Sequence, residues 1–199
     1  MNESIIHLIR HFDEKNIPAE RKIVLQPLKD YIRQKSSLNE PVRLNFICTH
    51  NSRRSHLAQI WAQTMAHHFE KQNLFCYSGG TEATALFPAV VQTLKAQGFH
   101  IMELAKTENP VYAIKFDENE PPVICFSKTF SDGFNPQQSF AAIMTCDQAD
   151  EACPYVPGAE ARFPVRYTDP KAWDGTEIMK EKYHETSLKI GLEMWWVMD

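Results

Sequence analysis

The sequence is short of several features that would assign it to a class at once. No stretch approaches the 18–20 consecutive apolar residues that a bilayer-spanning helix requires. The opening MNESIIHLIRHFDEK scatters charge through its apolar positions and has no core of signal-peptide length, which predicts a soluble, cytoplasmic protein without a membrane partner. Basic tracts are missing and the formal charge is −4, so a general nucleic-acid or anionic-lipid binder is not expected. No CxxC pair and no HxxxH-type partner lies near the cysteines, which argues against zinc; neither a metal nor another cofactor is expected. Five cysteines, an odd number with no secretory signal, exclude a simple disulfide framework and leave reduced thiols free for chemistry. Internal repeats and low-complexity segments are also absent.

What is present is an ordinary globular apolar content of 43% over 199 residues, enough for one domain with or without an appendage. Residues 1–40 read as an amphipathic helical extension in two pieces, Ile5 to Phe12 and Ile23 to Ile32, with Pro27 predicting a kink or break. Residues 41–199 then alternate strand and helix. Strands are predicted at Val42 to Ile47, Leu74 to Tyr77, Ala141 to Thr145 and Phe163 to Tyr167. Helices are predicted from Leu57 to Phe69, from Ala85 to Gln97, and from about Thr176 to Val197 with Asp174 as N-cap. The turn Ser78-Gly79-Gly80-Thr81 closes the second strand. Val111 to Phe116 and Pro122 to Phe126 read as a β-hairpin inserted into this plan. The pattern predicts an α/β fold: an open, mainly parallel sheet with helices on both faces. Such folds build their sites beyond the carboxyl ends of strands, where Cys48, Cys146 and Asp169 all fall.

The chemistry centres on Cys48-Thr49-His50-Asn51-Ser52-Arg53-Arg54-Ser55. A loop of this length between a strand and a helix turns its backbone N–H groups, the Arg54 guanidinium and the helix start toward one point. That point attracts a tetrahedral oxyanion and holds a cysteine at its floor as the nucleophilic thiolate. The bland reading is a buried, inert cysteine in a polar turn. Cys76 and Cys125 sit in apolar runs and read as core residues.

The stretch resembles the phosphate loop C-x-G-N-x-x-R-S of the low-molecular-weight protein tyrosine phosphatases and of the thioredoxin-coupled arsenate reductases that share their fold. Ser78-Gly79-Gly80-Thr81 is similar to their S-A-G-T turn, and Asp169-Pro170 to the D-P pair that carries their general acid. The resemblance covers about residues 42–199. It implies Cys48 as nucleophile, Ser55 as a group favouring the thiolate, Thr49, His50, Asn51, Ser52, Arg53 and Arg54 around the oxyanion, and Asp169 as proton donor to the leaving oxygen. Taken alone, Asp169-Pro170 is an ordinary turn former.

Cys146 and Cys153 separate the two branches. A phosphatase needs one cysteine, whereas a reductase moves two electrons through several. The arsenate reductases carry a redox pair at the spacing of Cys146 and Cys153, followed by proline, and this resemblance implies a three-thiol relay with thioredoxin as the final reductant. The phosphatase reading leaves the two cysteines as a redox brake or as bystanders. A third reading is a non-catalytic oxyanion-binding or redox-regulated interaction protein, with the loop impaired by His50 at the usual glycine position. Arg53 adds a second cation to the loop. Gln59 stands where some arsenate reductases place a glutamate that helps hold potassium, so a potassium site is not expected.

Overall fold

The computed structural model describes residues 1–199. Seven strands are present: β1 (Val42–Cys48), β2 (Leu74–Gly80), β3 (His100–Ala105), β4 (Val111–Lys115), β5 (Val123–Cys125), β6 (Phe140–Met144) and β7 (Ala159–Pro164). Six α-helices accompany them: α1 (Glu3–Ile9), α2 (Ala19–Ser37), α3 (Arg54–His68), α4 (Pro88–Ala96), α5 (Asp147–Ala152) and α6 (Met179–Met198). β2, β1, β6 and β7 lie side by side in that order as a wholly parallel sheet, and β3, β4 and β5 form a separate antiparallel sheet. No helix is long and apolar enough to cross a membrane.

Strand alternation sorts the core into two clusters. Val42, Leu44 and Phe46 of β1, with Ala141 and Ile143 of β6, pack into a large cluster with α2, α3, α4 and α6. Ile47, with Phe140, Ala142 and Met144, faces the other way into a small cluster closed by α5 and by Phe130. The first 40 residues belong to the large cluster: Ile5, Leu25, Leu28 and Ile32 are fully buried or nearly so.

Several details differ from the expectations. Pro27 does not break α2, which runs unbroken past it. The residue is exposed, so its missing N–H falls on the solvent side of the helix, where the lost bond is tolerated best. Ser78, Gly79 and Gly80 are not a turn but the end of β2, paired with Phe46, Ile47 and Cys48. The last two positions need glycine because a Cβ on Gly79 would lie 2.7 Å from Phe130 N, and one on Gly80 2.6 Å from the Thr49 carbonyl oxygen. The last strand lies earlier, at Ala159–Pro164, and ends where proline removes the ladder N–H. Asp174 does not cap α6, whose N-cap is Ile178 without a side-chain bond. The hairpin at β4 and β5 is joined by β3, which mostly exposed side chains, Met102 and Leu104 among them, kept from showing as a strand pattern.

Candidate active site

The loop from Cys48 to Arg54 leaves the end of β1 and enters α3 directly. Its carbonyl groups are drawn outward. The Cys48 carbonyl accepts from Thr81 N (3.1 Å) and the Thr49 carbonyl from Glu82 N (2.8 Å). The His50 carbonyl accepts from Thr84 Oγ1 (3.1 Å) and Ser127 Oγ (2.9 Å), and the Ser52 carbonyl from Phe87 N (3.0 Å). The amides of residues 49–53 donate to no protein acceptor. A loop that spends its acceptors on the scaffold and keeps its donors free is built for an anion.

Cys48 is 4% exposed, and its Sγ lies 3.1 Å from Ser55 Oγ. Asn51 Nδ2 donates to the same Ser55 oxygen (2.9 Å), while Asn51 Oδ1 accepts from Lys128 N (2.9 Å). The left-handed residue of the loop is Asn51, with φ of 45°, and Asn tolerates that region well. His50 is not in that region, so its side chain causes no backbone strain; the imidazole is half exposed beside Glu82.

The two arginines divide the work. Arg54 Nη1 donates to the Tyr167 carbonyl (3.0 Å) and Nη2 to Asp169 Oδ2 (2.5 Å), which holds its guanidinium at the mouth of the loop. The Arg53 side chain is engaged elsewhere: Nε donates to Tyr183 Oη and Nη2 to Asp174 Oδ2, both at 2.6 Å, with the guanidinium 4.0 Å from the Phe87 ring centroid. Its side chain therefore anchors the loop to α6 while still lining the cleft beside Arg54. Asp169 Oδ1 also accepts from Lys171 N (3.0 Å), capping a short 3-10 turn and fixing the carboxylate beside Arg54.

Cys146 stands at the N-cap of α5, where its Sγ accepts from Ala149 N (3.4 Å) and lies 3.4 Å from Thr49 Oγ1. Cys153 is the C-cap of the same helix and partly exposed; burial raises its pKa, with Arg162 opposing. All five cysteines are free thiols. Cys76 and Cys125 are buried, and burial pushes their thiols up, Cys125 to about 12. Gln59 does not face the loop but donates to the Cys76 carbonyl (3.1 Å) at the edge of β2.

A cleft of about 870 Å³ opens over the loop. Arg54, Cys146, Asp169 and His50 line it together with Arg166 and Lys171. Its one phenol ring is Tyr167, which is 6% exposed and lies against Arg21 of α2 (4.9 Å from the guanidinium carbon to the ring centroid). Sequence reasoning missed Ser127, Lys128, Asp174 and Tyr183. They are distant in the chain and belong to no motif.

No protein-family profile matches the chain. It is similar in sequence to a curated arsenate reductase of Bacillus licheniformis, 28% identical over 135 residues that cover 68% of this chain and 78% of the relative. Among solved structures it is similar in fold to a low-molecular-weight phosphotyrosine phosphatase of Vibrio cholerae O395, with a TM-score of 0.52 and 15% identity over 78% of this chain and 93% of that one. A low-molecular-weight protein tyrosine phosphatase of T. tengcongensis gives a TM-score of 0.51 at 16% identity, over 77% of this chain and 95% of that one. These relatives match the superfamily that the loop motif resembles.

Proposed function

We propose that this chain, which has the fold of the low-molecular-weight protein tyrosine phosphatases and resembles an arsenate reductase in sequence, reduces arsenate to arsenite through a relay of Cys48, Cys146 and Cys153. Both kinds of relative are enzymes, and the choice between them rests on one observation. A second thiol, Cys146, opens into the same cleft as Arg54 and touches the hydroxyl of Thr49, the residue after Cys48. The cleft lining agrees. It offers no exposed phenyl or indole ring to stack on an aryl ester, whereas its cations suit a small inorganic oxyanion.

In this reading the Cys48 thiolate attacks arsenic(V) held by the loop amides and Arg54, and Asp169 gives a proton to the departing oxygen, which leaves as water. Cys146 then attacks the Cys48 sulfur. The As–S bonding pair passes to arsenic, arsenite departs, and a Cys48–Cys146 disulfide remains. Cys153 attacks the Cys146 sulfur, which frees Cys48 and leaves a Cys146–Cys153 disulfide for a thioredoxin-type dithiol to reduce. Cys146 and Cys153 flank an intact α5, and seven residues of helix span about 10 Å. A disulfide needs Cα atoms within about 7 Å, so α5 must unwind at that step.

The test compares arsenate reduction with a thioredoxin system and aryl-phosphate hydrolysis in wild type, Cys48→Ser and Cys153→Ser. The expected result is that Cys153→Ser loses multiple-turnover reduction but keeps whatever hydrolysis the wild type shows. Reduction at the wild-type rate by Cys153→Ser would exclude the relay, and full activity of Cys48→Ser in both assays would exclude either enzyme.

A further inference from the structure

The guanidinium of Arg21, in the first turn of α2, is forked onto Glu193 of α6: Nε donates to Oε1 (2.8 Å) and Nη2 to Oε2 (2.7 Å). Glu193 is 1% exposed and the Arg21 side chain is mostly covered, so the pair is largely removed from water. Such a pair is a poor stabiliser. Desolvation offsets most of its attraction, and apolar residues of similar volume serve stability as well. What a planar fork adds is direction, because it fixes where the guanidinium lies. Here it lies over the Tyr167 ring, with the guanidinium carbon 4.9 Å from the centroid.

Tyr167 is where this pair meets the site. Residues 165–169 link β7 to the 3-10 turn that begins at Pro170 and form no regular element. Their backbone meets the sheet through Tyr167 N, which donates to the Thr145 carbonyl (3.0 Å). Their side chains hold the rest. Val165 and Tyr167 are buried in the main core, and Arg166 turns outward to Asp147 and Asp150 on α5. The Tyr167 hydroxyl is buried without a hydrogen-bond partner, so packing and the Arg21 guanidinium locate the ring. The same short segment carries both anchors of Arg54: the Tyr167 carbonyl takes Nη1 and the Asp169 carboxylate takes Nη2.

We propose that Arg21 is a positioning residue for this site: through the Tyr167 ring it sets the carbonyl that aims the Arg54 guanidinium at the loop, which makes residues 1–40 part of the site's machinery. The inference rests on the reading of that loop as an oxyanion site. An oxyanion on Arg54 repels the Asp169 carboxylate, which leaves the neutral Tyr167 carbonyl as the anchor of the bound state. The buried Arg21–Glu193 pair thereby gains a role that stability does not supply.

The test measures how well inorganic phosphate protects Cys48 from iodoacetamide, read by peptide mass spectrometry, and KM and kcat for arsenate with a thioredoxin system, each beside thermal unfolding. The variants are Arg21→Met, Arg21→Lys and the double variant Arg21→Met with Glu193→Leu. Arg21→Met alone strands a buried carboxylate and is expected to lower the melting temperature; the double variant removes both charges and is expected to recover it. Phosphate protection is expected to weaken about tenfold in both, with KM rising by a similar factor, because the Arg54 fork stays misplaced. Arg21→Lys keeps the charge without the planar fork and is expected to weaken protection several-fold. If protection and KM return to wild-type values together with the melting temperature in the double variant, the pair is structural and the proposal is wrong. Wild-type protection in a folded Arg21→Lys overturns it equally, whether or not the double variant folds. If phosphate fails to protect wild-type Cys48, the loop is not an oxyanion site, and this inference falls with that reading.

Discussion

Arg54 and Asp169 are joined by an ion pair across the mouth of the loop that follows β1, Nη2 to Oδ2 at 2.5 Å. The residue assigned to the incoming oxyanion is thus held by the residue assigned to protonating its leaving oxygen. On the proposed mechanism, an oxyanion that takes the Arg54 fork competes with the carboxylate, and its arrival would free Asp169 for proton transfer.

Asp169→Asn is therefore expected to act in two directions. Asparagine keeps the oxygen that caps Lys171 N but removes the competing charge, so inorganic phosphate should inhibit several-fold more tightly. Turnover of aryl phosphates with a poor leaving group should fall roughly 100-fold or more, because the proton donor is gone. Inhibition constants and leaving-group dependence check both. Unchanged phosphate affinity would show that the pair does not compete with substrate.

Gly80→Ala drives a Cβ into the Glu82 carbonyl oxygen and places it 2.6 Å from that of Thr49 and 2.8 Å from Asn51 N. All three are backbone atoms of the loop or its support and cannot swing aside as a side chain tip would. A loss of at least about 2 kcal/mol in denaturant unfolding is expected, with loss of oxyanion binding. A variant that kept wild-type stability would mean the loop can shift freely.

Asp150 holds α5 in place. It is 8% exposed and is clamped by Arg162 and Arg166, the second through Nε at 2.8 Å as well as through Nη2. If the relay requires α5 to unwind, Asp150→Asn should let the Cys146–Cys153 disulfide form faster under a mild oxidant, by about tenfold for a weakening of about 1.4 kcal/mol. Mass spectrometry of quenched time points measures this. An unchanged rate would show that the clamp does not limit the opening.

His56 predicts a pH dependence. Its folded pKa of about 3 lies below the ordinary value of 6.5, so between those two values the unfolded chain binds the proton and the native protein does not. Stability from this source is complete above pH 6.5 and is lost as pH falls toward 3, with a slope of at most about 1.4 kcal/mol per pH unit. His56→Leu should flatten that part of the curve relative to wild type in denaturant titrations at pH 7.5, 6 and 5. Parallel curves would rule His56 out as the source.

The sequence by itself determined the local units. The apolar run of β1, the loop chemistry from Cys48 to Ser55 and the three-and-four spacing of α3 are short-range patterns, and short-range patterns survive in one dimension. The strands around Cys76 and before Cys146 and the hairpin of β4 and β5 were legible for the same reason. Tertiary structure decided how the charges are used. The motif position singles out Arg54, but only the fold shows that Asp174 and Tyr183, more than 120 residues away, brace the Arg53 side chain while Tyr167 and Asp169 hold that of Arg54. Nor does sequence show that Ser78-Gly79-Gly80 stays in the sheet, because Phe130 and the loop backbone fill the space a side chain would occupy. The same holds for residues 1–40, whose helices look like an appendage in sequence but reach the site through Arg21 stacked on Tyr167, the residue whose carbonyl steadies Arg54. Pairings across such separations are selected by packing and charge compensation in the folded chain, and neither leaves a period in the sequence.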